Sequence, residues 1–301
     1  SKMGMMTFPA ANALYRKETN DNYPAARAIM SCVYEGLQVP FDTALRIESR
    51  YFAKIVRSPE AAAMIRSLFV SMQELNKGAR RPENVPPAAL KRIGVLGAGL
   101  MGAGIAYVTA QAGIEVVLID RDQEAADKGK AYSQKLLGDQ VKKGRAKQAD
   151  ADAVLARISP TPDYEKLKGV DMVIEAVFED RKVKAEATAK AQAVVGDKVV
   201  FGSNTSTLPI TSLAEQSKDP KNFIGVHFFS PVDKMMLVEI IMGEKTEDPA
   251  LAVALDYVRA IRKTPIVVND SRGFYTSRVV GTYIREGHLM LTEGVPAAMI
   301  E

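Results

Sequence analysis

The sequence is poor in the residues on which several classes of protein depend. It has one cysteine, Cys32, in 301 residues, which rules out a disulfide within the chain and suits a reducing compartment. Cys32 lies in an apolar helical pattern, so we expect a packed thiol rather than a reactive one. No apolar run is long enough for a transmembrane segment. The net charge is only +4 and no cluster interleaves basic with aromatic residues, so nucleic acid is not an expected partner.

Histidine is also scarce, and the two copies differ in context. His288 lies on the polar face of a helical pattern, where we expect a solvated side chain. His227 follows the apolar run at 223–226, which predicts a strand. Ligands of open parallel sheets bind beyond the carboxyl ends of the strands, and a histidine has a reference pKa of ~6.5. His227 is therefore a candidate for proton transfer near neutral pH.

The remaining composition is that of a globular protein, with 47% apolar and 25% charged residues and enough length for two domains. Residues 22–78 have helical periodicity with no strand signal, and residues 78–87, rich in proline and charge, predict a linker. From residue 91 the pattern alternates between strand and helix. We therefore expect an α/β fold with a Rossmann-type, doubly wound, mostly parallel sheet, preceded by an α-helical segment and followed by the start of an α-helical domain.

The predicted elements follow from periodicity and from the turn residues between them. Strands are expected near 92–97, 115–119, 171–175, 199–203, 223–228 and 265–268. Helices are expected near 61–76, 101–113, 122–143, 150–157, 180–195, 249–262 and 274–293. We place the domain bounds at 1–88, 89–270 and 271–301.

A glycine turn is the most specific motif of the chain. Gly97, Gly99 and Gly102 follow the apolar run at 93–96 and precede a helical pattern. Gly97 permits a tight turn, Gly99 lets the backbone approach a pyrophosphate, and Gly102 lets the helix pack on the strand. Asp120 ends the next predicted strand, about 20 residues further on, where an acid binds the ribose 2′-hydroxyl. The pattern predicts dinucleotide binding, and Asp120 favours NAD because a carboxylate repels the 2′-phosphate of NADP.

A histidine that acts as a base needs a carboxylate to orient it. Glu239 is an acid within the apolar run at 237–241, and a buried carboxylate without a partner is costly. Its partner could be His227, and the alternative is an edge strand with Glu239 facing solvent. The polar residues at 203–207 follow a predicted strand and could bind a substrate oxygen. The alternative there is a turn that caps the helix near 210–215.

Together these segments resemble the L-3-hydroxyacyl-CoA dehydrogenase family. The matching residues occur in the family's order, namely 97–102 with Asp120, 174–179, 203–206, 227–231 and 237–239. Segments at 22–26, 34–36 and 44–52 resemble the tail of the enoyl-CoA hydratase part, with its connecting helix, of the multifunctional α subunit of bacterial fatty acid oxidation. The resemblance implies that 1–88 is this tail with linker helices, 89–270 an NAD-binding domain and 271–301 the start of a truncated helical domain.

The resemblance also implies a reaction and the residues that perform it. L-3-hydroxyacyl-CoA would be oxidised to 3-oxoacyl-CoA with NAD as cofactor. His227 would remove the 3-hydroxyl proton, Glu239 would orient His227, and Ser206 would hold the substrate oxygen. The implied cofactor contacts are Gly97, Gly99, Leu100, Met101, Gly102, Asp120, Val177, Phe178, Glu179, Lys184, Ser206 and Ser230.

Two positions depart from the family's pattern. Ser230 and Ser277 stand where asparagines are common, and Ser277 is the position expected to contact substrate. The shorter serine side chains lead us to expect a different acyl-chain preference or rate. Lys143, in the basic run at 142–147, is expected to meet the phosphates of coenzyme A, with a solvated helix end as the alternative.

Two other functions remain open from the sequence. One is an NAD-dependent dehydrogenase of small hydroxy acids, which should use a lysine base and leaves His227 and Glu239 unexplained. The other is a non-catalytic NAD-binding module. Both chain ends look cut, so the hydratase acid and base residues would lie upstream and no targeting segment is readable. By resemblance we expect a 3-ketoacyl-CoA thiolase subunit as partner, a bacterial cytoplasmic location and no metal site.

Overall fold

The chain divides into two compact units, with the boundary in the sequence between Lys77 and Gly78. The structure, a computed structural model, describes residues 2–196 and 198–301. No helix within these two ranges combines the length and apolar character needed to cross a membrane.

The first unit is α-helical, as the periodicity of residues 22–78 predicts. Ser58 accepts the N–H of Ala61 at 3.2 Å and Pro59 takes the first helical position, which fixes where the helix expected near 61–76 begins. Tyr51 donates to Glu35 at 2.6 Å across the two central helices. The helices are α1 (Lys2–Thr19), α2 (Pro24–Gly36), α3 (Phe41–Val56), α4 (Pro59–Met64) and α5 (Met72–Asn76), with the π-helical segment Ile65–Ser71 joining the last two.

The second unit is built on one sheet of eight strands. The strands are β1 (Arg92–Leu96), β2 (Glu115–Ile119), β3 (Ile158–Thr161), β4 (Met172–Glu175), β5 (Val200–Ser203), β6 (Phe223–Phe228), β7 (Leu237–Met242) and β8 (Thr264–Asn269). Their order is β3-β2-β1-β4-β5-β6-β7-β8. The first six run parallel, whereas β7 is antiparallel to β6 and parallel to β8. The order reverses beside β1, the point where doubly wound sheets bind their ligands.

Helices cover both faces of the sheet. Neighbouring strand residues point to opposite faces, so Val95 and Ile105 belong to the hydrophobic cluster on one side, while Leu96 and Leu213 belong to the cluster on the other. The helices are α6 (Leu100–Gln111), α7 (Gln123–Lys142), α8 (Gln148–Ala156), α9 (Arg181–Val195), α10 (Ile210–Ala214), α11 (Asp248–Ala260), α12 (Thr276–Thr292) and α13 (Ala297–Ile300). This arrangement confirms the predicted Rossmann-type α/β fold.

The sheet holds two strands that the periodicity did not predict. β3 has four residues, and its Pro160 cannot donate to a ladder, which suits its place at the edge of the sheet. β7 lies between β6 and β8, and its Glu239 is 0% exposed. The alternative of an edge strand with Glu239 facing solvent is therefore wrong.

The proline-rich segment that opens the second unit is tied to α11. Arg81 donates to both oxygens of Asp256, at 2.8 and 2.9 Å, and also to the backbone carbonyls of Val85 and Pro86. The N–H of Ala88 donates to the same carboxylate at 2.9 Å. Burial alone raises the pKa of Asp256, but the bonds from Arg81 outweigh burial and hold it below its usual range. One carboxylate thus fixes the path of the chain into β1.

We expect Asp256→Asn to destabilise the second unit. The amide loses the bidentate ion pair with Arg81 and leaves a half-buried guanidinium underpaired, a loss of about 1–2 kcal/mol after allowance for solvent screening. Urea unfolding of the two proteins measures the difference. Glu124→Gln is the matched control, because it breaks the solvent-exposed pair with Lys128 and should leave the midpoint unchanged. Equal midpoints for all three proteins would contradict a structural role for Asp256.

Candidate active site

The three glycines after β1 meet different surroundings. Gly97 has φ +89°, and a Cβ there would lie 2.6 Å from the carbonyl oxygen of Ala176. A Cβ on Gly102 would lie 1.8 Å from the carbonyl oxygen of Gly97. Gly99, the residue before α6, has no atom of the described residues within 4 Å of its Cβ position, apart from its own neighbours in the chain. The packing of the protein itself explains Gly97 and Gly102, whereas the space above Gly99 is open at a helix N-terminus, where an anion binds well.

A cleft of about 820 Å³ opens beside this turn. Asp120 follows β2, and its two oxygens accept the N–H groups of Ala98 at 2.6 Å and Arg121 at 2.7 Å. The carboxylate therefore lies next to the glycine turn, although 22 residues separate it from Ala98. The predicted cofactor contacts that line the cleft are Gly97, Gly99, Leu100, Met101, Asp120, Val177 and Phe178. Their shape and their open helix terminus fit a dinucleotide.

His227 and Glu239 face each other on neighbouring strands. The antiparallel register of β6 and β7 pairs the two residues directly, and His227 Nδ1 lies 2.7 Å from Glu239 Oε2. Their side chains are buried, with 8% and 0% exposure. Because a carboxylate only accepts, Nδ1 carries the proton of a neutral imidazole and Nε2 remains free to accept one. The rings of Phe229 and Phe274 lie 4.6 and 5.9 Å from the imidazole, centroid to centroid.

Glu239 has further donors besides His227. Its Oε1 accepts the N–H groups of Tyr275 at 3.1 Å and Thr276 at 2.8 Å, at the start of α12. Its Oε2 also accepts the hydroxyl of Thr276 at 2.8 Å. Burial alone raises the pKa of Glu239, but the bonds from His227 and Thr276 outweigh burial and hold it below its usual range. The carboxylate is thus charged and fixed in place behind the imidazole.

Glu179 holds the loop that carries Ser206. Its Oε1 accepts the hydroxyl of Thr205 at 2.5 Å and the N–H groups of Ser206 at 3.0 Å and Thr207 at 3.3 Å. Burial alone raises the pKa of Glu179, but the bond from Thr205 and the charge of Lys184 hold it below its usual range. The loop after β5 is therefore hydrogen-bonded to the loop after β4. Ser206 belongs to the loop after β5 and is half-buried.

Lys184 lies beneath this loop rather than in the cleft. Its Nζ is 2.8 Å from Glu175 and 3.1 Å from Glu179, and its side chain is 2% exposed. Glu175 also accepts the hydroxyl of Ser203 at 2.7 Å and the N–H of Val177 at 2.8 Å. Glu179 and Lys184, expected as cofactor contacts, are thus hydrogen-bonded into the wall behind the site. Direct contact with the cofactor stays a prediction for both.

Ser230, Ser277 and Lys143 are the other three residues expected at the site, and each lies on or just after a different element. Ser230 is exposed and follows the strand that carries His227. Ser277 lies in the first turn of α12, next to Thr276. Lys143 follows the last residue of α7, a 20-residue helix that begins just after Asp120 and so spans about 30 Å. Lys143 is therefore far along the helix from the cleft, and its contact with coenzyme A stays a prediction.

A second groove, of about 710 Å³, adjoins the Ser206 loop and the start of α12. Among the residues that the structure describes, no acidic side chain lines it. The lining residues are Arg181, Thr207, Leu208, Pro209, Arg272, Gly273, Ser277, Arg278, Gly281, Thr282 and Arg285. Four exposed arginines make this basic groove suitable for an anionic ligand.

Two residues support the site in ways that sequence reasoning did not predict. Asn204 was expected, with the rest of the polar run at 203–207, as a candidate for substrate contact. In the structure it accepts the N–H of Phe228 at 2.8 Å and so links the end of β5 to that of β6. The role of Thr276 could not be predicted from the sequence, because its contact with Glu239 depends on β7 lying against the start of α12.

A Rossmann sheet with a buried histidine–carboxylate pair near its dinucleotide cleft belongs to the class of NAD-dependent dehydrogenases. A family model described as "3-hydroxyacyl-CoA dehydrogenase, NAD binding domain" matches residues 92–271. The chain therefore belongs to the 3-hydroxyacyl-CoA dehydrogenase family, and these residues form its NAD-binding domain.

Curated relatives extend the similarity into the first unit. The fatty acid oxidation complex subunit alpha of Pseudomonas syringae is 39% identical over 297 residues, which cover 99% of this chain and 41% of the relative. The corresponding subunit of Shewanella amazonensis is 38% identical over 288 residues, which cover 95% of this chain and 40% of the relative. The chain thus spans about two fifths of the length of these relatives.

Solved structures support the same family. A (S)-3-hydroxybutyryl-CoA dehydrogenase from Ralstonia eutropha has a TM-score of 0.67 and 38% identity, over 69% of this chain and 74% of that one. A 3-hydroxybutyryl-CoA dehydrogenase from Escherichia coli has a TM-score of 0.67 and 31% identity, over 70% of this chain and 44% of that one.

We expect Gly99→Ala to lose NADH affinity while the protein stays folded. The variant's methyl would occupy the open space above the helix N-terminus, and overpacking of about 1–3 kcal/mol corresponds to a loss of about 5- to 150-fold. Titration of NADH fluorescence measures affinity, and circular dichroism monitors the fold. Gly138→Ala is the control, because its Cβ position in α7 is equally open and should affect neither measurement. Unchanged affinity in Gly99→Ala would mean that the space is not used by the cofactor.

Proposed function

We propose that this protein oxidises L-3-hydroxyacyl-CoA to 3-oxoacyl-CoA with NAD+, within fatty acid β-oxidation. The observation that carries the proposal is the buried His227–Glu239 pair with its free Nε2, on the sheet whose glycine turn and Asp120 line the NAD cleft. NAD+, when bound, accepts the hydride that leaves C3 of the substrate. The remaining chemistry falls to side chains of the protein.

His227 acts as the general base. Its Nε2 accepts the proton of the 3-hydroxyl, and the imidazolium formed in this step is stabilised by Glu239 through Nδ1. Ser206 supplies a hydroxyl for the substrate oxygen, from a loop that Glu179 holds through backbone N–H groups. Water is kept from the imidazole by the two phenylalanine rings that flank it. His227 is held by its hydrogen bond to Glu239, and the backbone of Ser206 is held by Glu179.

The basic groove favours a coenzyme A ester as the substrate. Coenzyme A carries several phosphate charges, and guanidinium groups bind phosphates in bidentate geometry. Ser277 lies in this groove next to Thr276, so a ligand there would also approach the His227–Glu239 pair. Lys143 is a second candidate for phosphate contact on the grounds of charge alone. Ser230, exposed beyond β6, is a candidate for contact with either ligand.

The two alternatives are less consistent with the site. A small hydroxy acid dehydrogenase with a lysine base would need a lysine in the cleft near the substrate. Lys184 is buried and engaged by Glu175 and Glu179. Lys190 lines the cofactor cleft, but it is exposed and paired with Glu186, so neither lysine is placed to act as a base. A non-catalytic NAD-binding module has no use for a buried histidine–carboxylate pair, which is costly to maintain.

The similarity to longer relatives supports a wider proposal. We propose that residues 1–88 correspond to the tail of an enoyl-CoA hydratase part and its linker, 89–270 to the NAD-binding domain and 271–301 to the start of a helical domain. Partnership with a 3-ketoacyl-CoA thiolase subunit and a place in the bacterial cytoplasm remain predictions from resemblance.

The direct test is oxidation of NADH by acetoacetyl-CoA, followed as loss of the NADH absorbance. We expect turnover by the wild-type protein, and a loss of about 10²-fold or more in His227→Gln, because the proton acceptor is removed. NADH affinity should change little, since His227 does not line the cofactor cleft.

His288→Gln is the matched control for this variant. It removes the other histidine of the chain, an exposed residue of α12, and should keep wild-type turnover. NADH binding without turnover in the wild-type protein would favour the non-catalytic alternative. A collapse of NADH affinity in His227→Gln would instead assign His227 a structural role.

A further inference from the structure

The first turn of α12 surrounds the carboxylate that orients His227. Three of the four donors to Glu239 come from this turn, namely the N–H groups of Tyr275 and Thr276 and the hydroxyl of Thr276. The fourth is His227 Nδ1. The N-terminal end of a helix also carries partial positive charge, which favours a carboxylate there. The acid–base pair is therefore completed by an element that follows the Rossmann sheet in the chain.

We propose that Thr276 is a positioning residue for the His227–Glu239 pair, and that its hydroxyl sets the pH range in which His227 exchanges its proton. The expected effect on turnover rests on the proposed function. Its physical basis is the hydrogen-bond geometry alone. Thr276 acts through Glu239, because its hydroxyl is bonded to the carboxylate rather than to the imidazole.

The shared oxygen explains how a hydroxyl can act on the histidine. Glu239 Oε2 accepts from both Thr276 Oγ1, at 2.8 Å, and His227 Nδ1, at 2.7 Å. Each of these two donors reduces the negative charge on Oε2 that is available to the other donor. Loss of the Thr276 hydroxyl leaves the whole charge of Oε2 to the imidazole, which makes protonation of His227 easier. Protonation of the pair is therefore tuned by the number of donors on one oxygen.

Among the contacts of the described residues, Glu239 is the charged partner of His227. Within the described residues, Glu239 on β7 is the ionisable side chain in contact with His227, and the other neighbours are the rings of Phe229 and Phe274. The elements packed against Glu239 contribute His227 from β6 and uncharged donors from the start of α12. A change in the titration of His227 after substitution of Thr276 can therefore be assigned to Glu239.

The test is an NMR titration of the histidine rings in the full chain. The chain has two histidines, so ring-labelled protein gives two sets of signals, and exposed His288 serves as the internal reference. We expect Thr276→Val, which replaces the hydroxyl with a methyl group of similar size, to move the midpoint of the His227 titration upward by about half a pH unit. Thr276→Ser, which keeps the hydroxyl, should restore the wild-type midpoint.

Thr292→Val is the matched control, since Thr292 is an exposed residue of the same helix whose hydroxyl is bonded to the carbonyl of Leu289. It should leave both midpoints unchanged. Should Thr276→Val fail to fold, Thr276→Ala removes the same hydroxyl without an added methyl and carries the same expectation. An unchanged or lowered His227 midpoint in the folded variant would overturn the proposal, because Thr276 would then be merely structural.

The titration separates this inference from the proposed function. It requires no substrate and no turnover, so an inactive protein can still support or overturn the role of Thr276. In an active protein the acidic limb of kcat for hydroxyacyl-CoA oxidation should move upward by the same amount, because His227 must be neutral to accept the proton. KM for NAD+ should stay unchanged in Thr276→Val, since Thr276 does not line the cofactor cleft.

Discussion

The buried carboxylate of Glu239 is the constraint on which the rest of the site depends. A carboxylate with no exposed surface is tolerated only when its oxygens are fully hydrogen-bonded, and Glu239 has four donors. One donor comes from β6 and three from the start of α12. The antiparallel turn from β6 to β7, the path of the chain into α12 and the orientation of His227 therefore form a single arrangement, and a change in one of them affects the others.

The carboxyl ends of β4, β5 and β6 are joined by a second set of buried polar contacts. Lys184 bridges Glu175 and Glu179, and Glu179 in turn holds the loop that carries Ser206. Asn204 continues the connection to β6 through the N–H of Phe228. These contacts keep the substrate side of the sheet rigid next to a cofactor cleft whose walls are formed by the glycine turn. Rigid placement of reacting groups is the main contribution that a protein makes to the chemistry of a bound cofactor.

Periodicity and turn residues were enough to predict the Rossmann-type fold, because long apolar alternations and glycine turns are local signals. They failed at β3, where four residues with a proline give no pattern, and at β7, whose strand direction is a tertiary property. Asp120 was predictable from its spacing to the glycines. The burial of Lys184 and the contact from Thr276 were not, because both depend on which strands become neighbours.

We propose that His227 and the NAD cleft serve one substrate. A crystal structure of the protein with NADH and acetoacetyl-CoA bound tests this directly. We expect the 3-oxo oxygen within hydrogen-bond distance of His227 Nε2 and the Ser206 hydroxyl, with the cofactor's pyrophosphate above Gly99. A substrate oxygen bound away from His227, with Nε2 left without a ligand contact, would contradict the account.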